Sequence, residues 1–129
     1  MSLVSVCLLL AISSDATAQD RLDEIVHCAD PNPDVSIKAC TALIKSGKEK
    51  QPALGTFFEF RGISYTAKQQ YSLAIKDFDE SVRINPNNAE AVHNRGIAKR
   101  KSGDTLGADA DLAPAKILDP KYNKVNRPR

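Results

Sequence analysis

Apolar residues return at three- and four-residue steps along most of this chain, the spacing of one face of a helix. Upstream, Asp20–Ala29 reads as one helix and Asp34–Ser46 as a second, with Val35, Ile37, Ala39, Cys40, Leu43 and Ile44 on one face. Asp30-Pro31-Asn32-Pro33 is the turn between them, and Ser46-Gly47 caps the second. Phe57–Lys68 and Tyr71–Ile84 form the next pair. In the latter, Leu73, Ala74, Phe78, Ser81, Val82 and Ile84 alternate small and large side chains. Asn85-Pro86 stops it, because a residue before proline is pushed out of the helical region. Ala89–Ser102 and Thr105–Leu118 make a third pair, with Gly103-Asp104 as the turn and Asp119-Pro120 as the stop. No strand period appears, so the pattern predicts an all-α fold of helical hairpins.

The second and third hairpins repeat each other. With Gly55–Asn88 written above Ala89–Tyr122, an offset of 34, Arg61-Gly62-Ile63 falls on Arg95-Gly96-Ile97. Ala74 falls on Ala108, Asp77 on Asp111, Phe78 on Leu112, Ile84 on Leu118 and Pro86 on Pro120. The matches fall on small, apolar and breaker positions, where a packed hairpin needs them. A glycine inside a helix costs about 1 kcal/mol against alanine, and it is tolerated where a neighbouring helix comes close.

Gly62-x-x-Tyr65, Ala74-x-x-x-Phe78 and Pro86 in a 34-residue unit resemble the tetratricopeptide repeat (TPR). Phe58 stands where the family often has Trp. The second unit keeps Gly96, Ala108 and Pro120 and departs at Lys99, Leu112 and Pro114. SIKACTALIKSG resembles the opening half-repeat of small exported bacterial TPR proteins. The resemblance implies a right-handed superhelical array of about three hairpins: a degenerate N-terminal hairpin over 19–50, a repeat over 55–88, a repeat over 89–122, and a basic tail over 123–129. By the same resemblance, Cys28 and Cys40 tie the first two antiparallel helices together.

The N-terminus differs from the rest. An apolar run from Leu3 to Ile12 leads to Ala16-Thr17-Ala18, a signal-peptide core followed by an A-x-A cleavage site. The run is about half of what a helix needs to span a bilayer, and residues 1–18 lack the usual basic start. The alternative is a buried or frayed N-terminal helix. Cleavage after Ala18 leaves Gln19–Arg129 with Cys28 and Cys40, an even count that suggests a disulfide in an exported chain. In a cytosolic chain the pair reads as buried free thiols. The expected location is the periplasm or the cell exterior. A single small domain fits the 129 residues, with 42% hydrophobic and 26% charged. The net charge of +2 is mixed along the chain, unlike the clustered lysines and arginines of a nucleic-acid face. Nucleic acid is not expected as a partner, nor is a membrane span after cleavage.

In the family, first helices line a concave face that holds peptides or partner helices. That implies a partner-binding groove of Glu59, Phe60 and Ile63, with Thr56, Thr66 and Ala67, from one repeat. Glu90, His93, Asn94, Ile97, Arg100 and Lys101 come from the next. Asn94 sits where carboxylate-clamping TPR domains carry an asparagine. The Lys and Asn that complete such a clamp are replaced by Glu59 and Ile63, so chaperone C-termini are not expected. Arg100 and Lys101 suit an acidic ligand.

The remaining constellations read as structural. Asp77, Asp79 and Glu80 read as the solvated side of a helix, Phe58 as core, and His93 as a polar groove residue. Arg61 and Arg95 recur with the repeat and read as structural. No phosphate loop, haem motif or nucleophile elbow is present, and one Cys-His pair does not complete a zinc site. Catalytic residues, metal ligands and cofactors are therefore not expected. The leading expectation is a non-enzymatic scaffold or adaptor for a protein or peptide. Its alternative is a small-ligand or regulatory module associated with a cell-envelope enzyme, and a hydrolase with an unrecognised site comes third. Pro114 predicts either a short, frayed last helix or an uncapped apolar face, around Ala110, Ala113, Ile117 and Leu118, that a partner or a second copy covers.

Overall fold

The structure is a computed structural model that describes residues 17–123. The leader expected over residues 1–18 lies outside the described residues up to residue 16, as does most of the basic tail. The described residues are helical throughout, with no strand among them. They comprise α1 (residues 17–28), α2 (Pro33–Ser46), α3 (Ala53–Ala67), α4 (Tyr71–Ile84), α5 (Ala89–Ser102), α6 (Thr105–Leu118) and a short 3-10 turn, Pro120–Asn123. From α2 to α6 each helix packs on the next in sequence, and α3 also touches α5.

The boundaries follow from side chains that satisfy free backbone groups. Asn32 accepts from the N–H groups of Asp34 and Val35, and Pro33 opens α2 where no donor is needed. Asn88 caps α5 in the same way through Glu90 and Ala91, and Asp104 caps α6 through Gly107. Gly47 and Gly103 close α2 and α5 in the left-handed region, at φ 66° and 97°. In the intervening hairpin that role falls to Gln69, at φ 61°. The expected ends of α4, α5 and α6 agree with the structure. α3 begins at Ala53, four residues before the expected Phe57, because the Lys50 and Pro52 carbonyls accept the first N–H groups of the helix. Pro114 does not shorten α6, which runs unbroken to Leu118. The frayed ending is thus corrected. Pro114 itself is exposed, where the carbonyl freed one turn earlier can meet water.

The first hairpin is closed by a disulfide between Cys28 and Cys40, with both residues fully buried. Ala39, Leu43 and Phe57 pack around it, with Ile25, Ile44 and Phe60 at the edge. Phe57 is thus the core aromatic at this seam, and Phe58 is only half-buried. A buried hydroxyl chain joins the hairpin to α3: Ser64 Oγ donates to Ser36 Oγ (2.8 Å), which donates to the Cys28 carbonyl (2.7 Å). The same twelve-residue separation relates Cys28 to Cys40, Gly62 to Ala74 and Gly96 to Ala108. A Cβ on Gly62 would sit 2.8 Å from the Phe78 ring, and one on Gly96 would sit 2.8 Å from Leu112 and 3.2 Å from the Ala108 carbonyl. The repeat needs glycine there because the two helices of a hairpin touch at that point.

One arginine per repeat clamps three helices. Arg61 donates from Nε and Nη2 to both carboxylate oxygens of Asp77 (2.7 and 2.8 Å) and from Nη1 to Thr41 Oγ1 (3.0 Å). Arg95 repeats the fork on Asp111 (2.8 and 2.6 Å) and reaches Asp79 (2.9 Å). Each thereby ties its own helix to the second helix of its hairpin and to that of the hairpin before. Asp77 is only 5% exposed, which corrects the expectation that it lies on a solvated side; Asp79 is exposed as expected.

Candidate functional site

α3 touches α5, and three depressions follow one another along these two helices. The first, about 250 Å³, lies between the disulfide turn and α3; Phe60, Ile63 and Ala67 form its α3 wall, and Asp30, Pro31 and Pro33 its other side. The second, about 70 Å³, is the seam between α3 and α5, with Ile63 and Thr66 facing Asn94 and Ile97 above Phe78. The third, about 560 Å³, lies between α5 and α6, with His93, Ile97 and Arg100 facing Leu112, Ala113 and Lys116. Ile63 belongs to the first two and Ile97 to the last two, so the depressions form a continuous row.

Most of the residues expected in the groove lie along this row. Phe60, Ile63, Asn94, Ile97, His93 and Arg100 are brought together in it. Ile63 is 37% exposed, enough to offer apolar surface while its backbone stays in α3. Four residues fall elsewhere, and of these Thr56 is exposed on α3 and lines none of the three. Glu59 is buried at 7% exposure and accepts a hydrogen bond from Asn88 Nδ2 (2.7 Å), so it secures the start of α5 and does not face a ligand. Burial raises its carboxyl above the usual range, and the Asn88 hydrogen bond opposes that. Lys101 is exposed and borders a different depression, beside Gln69–Leu73 of the α3–α4 turn. Glu90 is exposed in the first turn of α5 and lines none of the three.

His93 takes part in the third depression by an unexpected contact. Tyr122, from the 3-10 turn, stacks on its ring with centroids 4.2 Å apart. Its Nδ1 is buried without a hydrogen-bond partner among the described residues, and burial lowers its pKa. The ring is therefore held neutral near pH 7. Arg100 donates to Asp109 (2.7 Å) across the mouth, with both side chains exposed. The row as a whole is apolar along its floor, with Asn94 as its central polar group and cationic side chains at the α5–α6 end.

Sequence reasoning missed Phe78 and Lys116 as lining residues; Ala113 and Ile117 it placed on an apolar face of the last helix, and both line the α5–α6 depression. The repeat offset carried the signal: Leu112 stands where Phe78 stands one unit earlier, on the floor of the equivalent seam. Among the described residues, no group of three or more His, Cys, Asp or Glu is placed to hold a metal ion. No described helix is long and apolar enough to cross a membrane.

A family model described as a TPR repeat matches residues 62–103, from the glycine of α3 to the glycine that ends α5. A search of curated proteins finds no significant match. The matched segment contains Gly62, Ala74, Phe78, Pro86 and Gly96, and it joins helices that the structure packs as successive hairpins. This match, the all-helical hairpin series and the 34-residue spacing of Gly62 and Gly96 identify residues 62–103 as tetratricopeptide-repeat sequence within a longer series of helical hairpins.

Proposed function

We propose that this chain is a non-enzymatic adaptor that holds a segment of a protein partner along the depressions that line α3 and α5. One observation carries the reading: the three depressions are joined in a row by Ile63 and Ile97. A row of linked sites matches a ligand many residues long, whereas a small molecule is usually held in one enclosed pocket. Apolar anchors in the partner would seat at Phe60, Ile63 and Ile97. Asn94 would take a backbone amide, and Arg100 an acidic side chain. The Cys28–Cys40 disulfide supports an exported setting, since disulfides persist in oxidising compartments. The alternative, a small-ligand or regulatory module, rests on the third depression, whose volume alone falls within the range of small-molecule pockets.

The test is affinity capture from the host's envelope and extracellular fractions, with wild-type chain and Ile63→Glu/Ile97→Glu as paired baits. A protein retained by the wild type and lost by the double variant supports the reading. A partner that both retain places the binding surface elsewhere and overturns it.

A further inference from the structure

The row of depressions changes charge along its length. Asp30 is the one charged residue among the described residues that line the first depression. Its Oδ1 accepts from the Asn32 N–H (2.7 Å), which fixes the carboxylate in the turn before α2. Asp34 and Lys68, at the adjoining ends of α2 and α3, are paired with each other and add no net charge. The middle seam has no charged lining residue. In the third depression Arg100 and Lys116 stand against one acid, Asp109. Arg100 already bonds Asp109 (2.7 Å), and His93 is neutral near pH 7, so this end keeps one cation in excess. The row is therefore acidic at its first depression, uncharged in the middle and basic at its third.

The middle seam also limits the backbone that can cross it. It is about 70 Å³, whereas a helix with its side chains is about 10–12 Å across. Its polar groups suit an open chain. Asn94 offers both an amide donor and a carbonyl acceptor. Thr66 Oγ1 donates to the Gly62 carbonyl (2.9 Å) and can still accept. An extended segment brings N–H and C=O groups that need such partners, while a helix has bonded its own internally.

We propose that the row holds an extended segment of the partner with opposite charges at its two ends: a basic side chain at Asp30, an acidic one at Arg100 and Lys116, and apolar side chains between them on Ile63 and Ile97. The inference rests on the adaptor reading above and adds the partner's charge pattern to it. Packed helices lie about 8–10 Å apart, and the row crosses two such steps, from the turn before α2 to α3 and from α3 to α5. An extended chain rises about 3.3 Å per residue, so the two charges stand about five or six residues apart. A segment with like charges at both ends meets repulsion at one of them. An exposed ion pair changes affinity by up to about fivefold, so turning one attraction into a repulsion weakens binding by roughly tenfold.

The test is selection from a phage-displayed library of random peptides longer than the row, against the full-length chain with its disulfide intact. Wild type, Asp30→Asn and Arg100→Gln/Lys116→Gln serve as baits. Asparagine keeps an acceptor for the Asn32 N–H, and Arg100 and Lys116 are exposed, so helical content by circular dichroism should match the wild type. Peptides enriched on the wild type should carry one basic and one acidic residue about five or six positions apart, with apolar residues between. Asp30→Asn should lose the preference for the basic residue alone, and Arg100→Gln/Lys116→Gln the preference for the acidic one alone. A synthetic copy of the leading peptide, with its basic residue changed to Glu, should bind the wild type roughly tenfold more weakly, and the difference should shrink at high salt. Three results overturn the proposal: no enriched peptide, enriched peptides without opposite charges, or charge preferences that both variants retain. Ile63→Glu/Ile97→Glu separates this failure from that of the adaptor reading. Peptides lost on that variant but lacking the charge pattern leave the adaptor reading standing, and peptides that it retains contradict both.

Discussion

Replacing Asp111 with alanine should destabilise the fold far more than replacing Asp79, although Arg95 bonds both. Asp111 has a side chain 7% exposed and takes both forks of Arg95, itself 18% exposed, as well as Lys99 Nζ at 2.9 Å. Its loss leaves two cations facing each other, one of them held only by Asp79, whose side chain is 53% exposed. Removing one partner of a buried pair costs about 3–5 kcal/mol, and the surviving Asp79 arm puts Asp111→Ala near the low end, about 3 kcal/mol. Asp79→Ala removes an exposed arm and should cost about 1 kcal/mol or less. For a domain of this size the larger loss lowers Tm by about 12 °C or more. The pH dependence adds a second readout. Burial pushes the Asp111 carboxyl up, but the hydrogen bonds and charges of Arg95 and Lys99 prevail and hold it below the usual aspartate value of 3.8. A carboxylate depressed in the fold stabilises above its unfolded pKa, and that contribution is lost as pH falls through the folded one. The gap between wild type and Asp111→Ala should therefore be constant from pH 5 to 8 and close below about pH 4. Urea unfolding followed by circular dichroism measures both quantities. An Asp111→Ala loss no larger than that of Asp79→Ala would refute the clamp argument.

Three further outcomes follow from other parts of the chain. Reducing the Cys28–Cys40 disulfide, or replacing both cysteines with alanine, should cost roughly 2–3 kcal/mol because the bridge closes a short loop; urea titration with and without reductant reads it. Gln69→Gly should stabilise by about 1 kcal/mol and Gly103→Ala should destabilise by about as much, since both positions have positive φ and only glycine adopts it without strain; paired melts would show the opposite signs. Glu59→Gln should raise stability at pH 7. Burial raises the Glu59 carboxyl in the fold, so its ionised form is disfavoured above that pKa and the penalty disappears below the unfolded value of 4.5. The variant's advantage should shrink as pH falls towards 4 and vanish there, and a constant or inverted difference counts against this account of Glu59.

The fold was legible because helix period, breakers and the 34-residue offset agreed. Asn85-Pro86, Gly103-Asp104 and Ser46-Gly47 each mark a boundary by local chemistry, and tertiary context does not move them. The start of α3 was not legible, since it depends on which carbonyls precede Ala53 and not on an apolar stripe. The clamp was half legible. Arg61 and Arg95 recur, and Asp77 and Asp111 recur with them, but their sixteen-residue separation has meaning only once two helices fold back on each other. Read along the helix, Asp77 sits among Asp79 and Glu80 and looks solvated. Glu59 failed for a related reason: its place on α3 suggests the shared face, yet the cap residue of α5 lies over it. Phe60, Ile63, Asn94 and Ile97 were legible because positions on the shared face of first helices repeat with the unit. The third depression was legible only in pieces, because most of its wall comes from α6 and meets the α5 residues only once the hairpin folds.

The measurement that bears most directly on the adaptor reading is site-specific photo-crosslinking in the native host, with the probe placed at Ile97 in one strain and at Lys76, exposed on α4, in another. The account predicts a discrete protein adduct from Ile97 and none from Lys76. An adduct from Lys76 with none from Ile97 would put the partner on the second helices and contradict it.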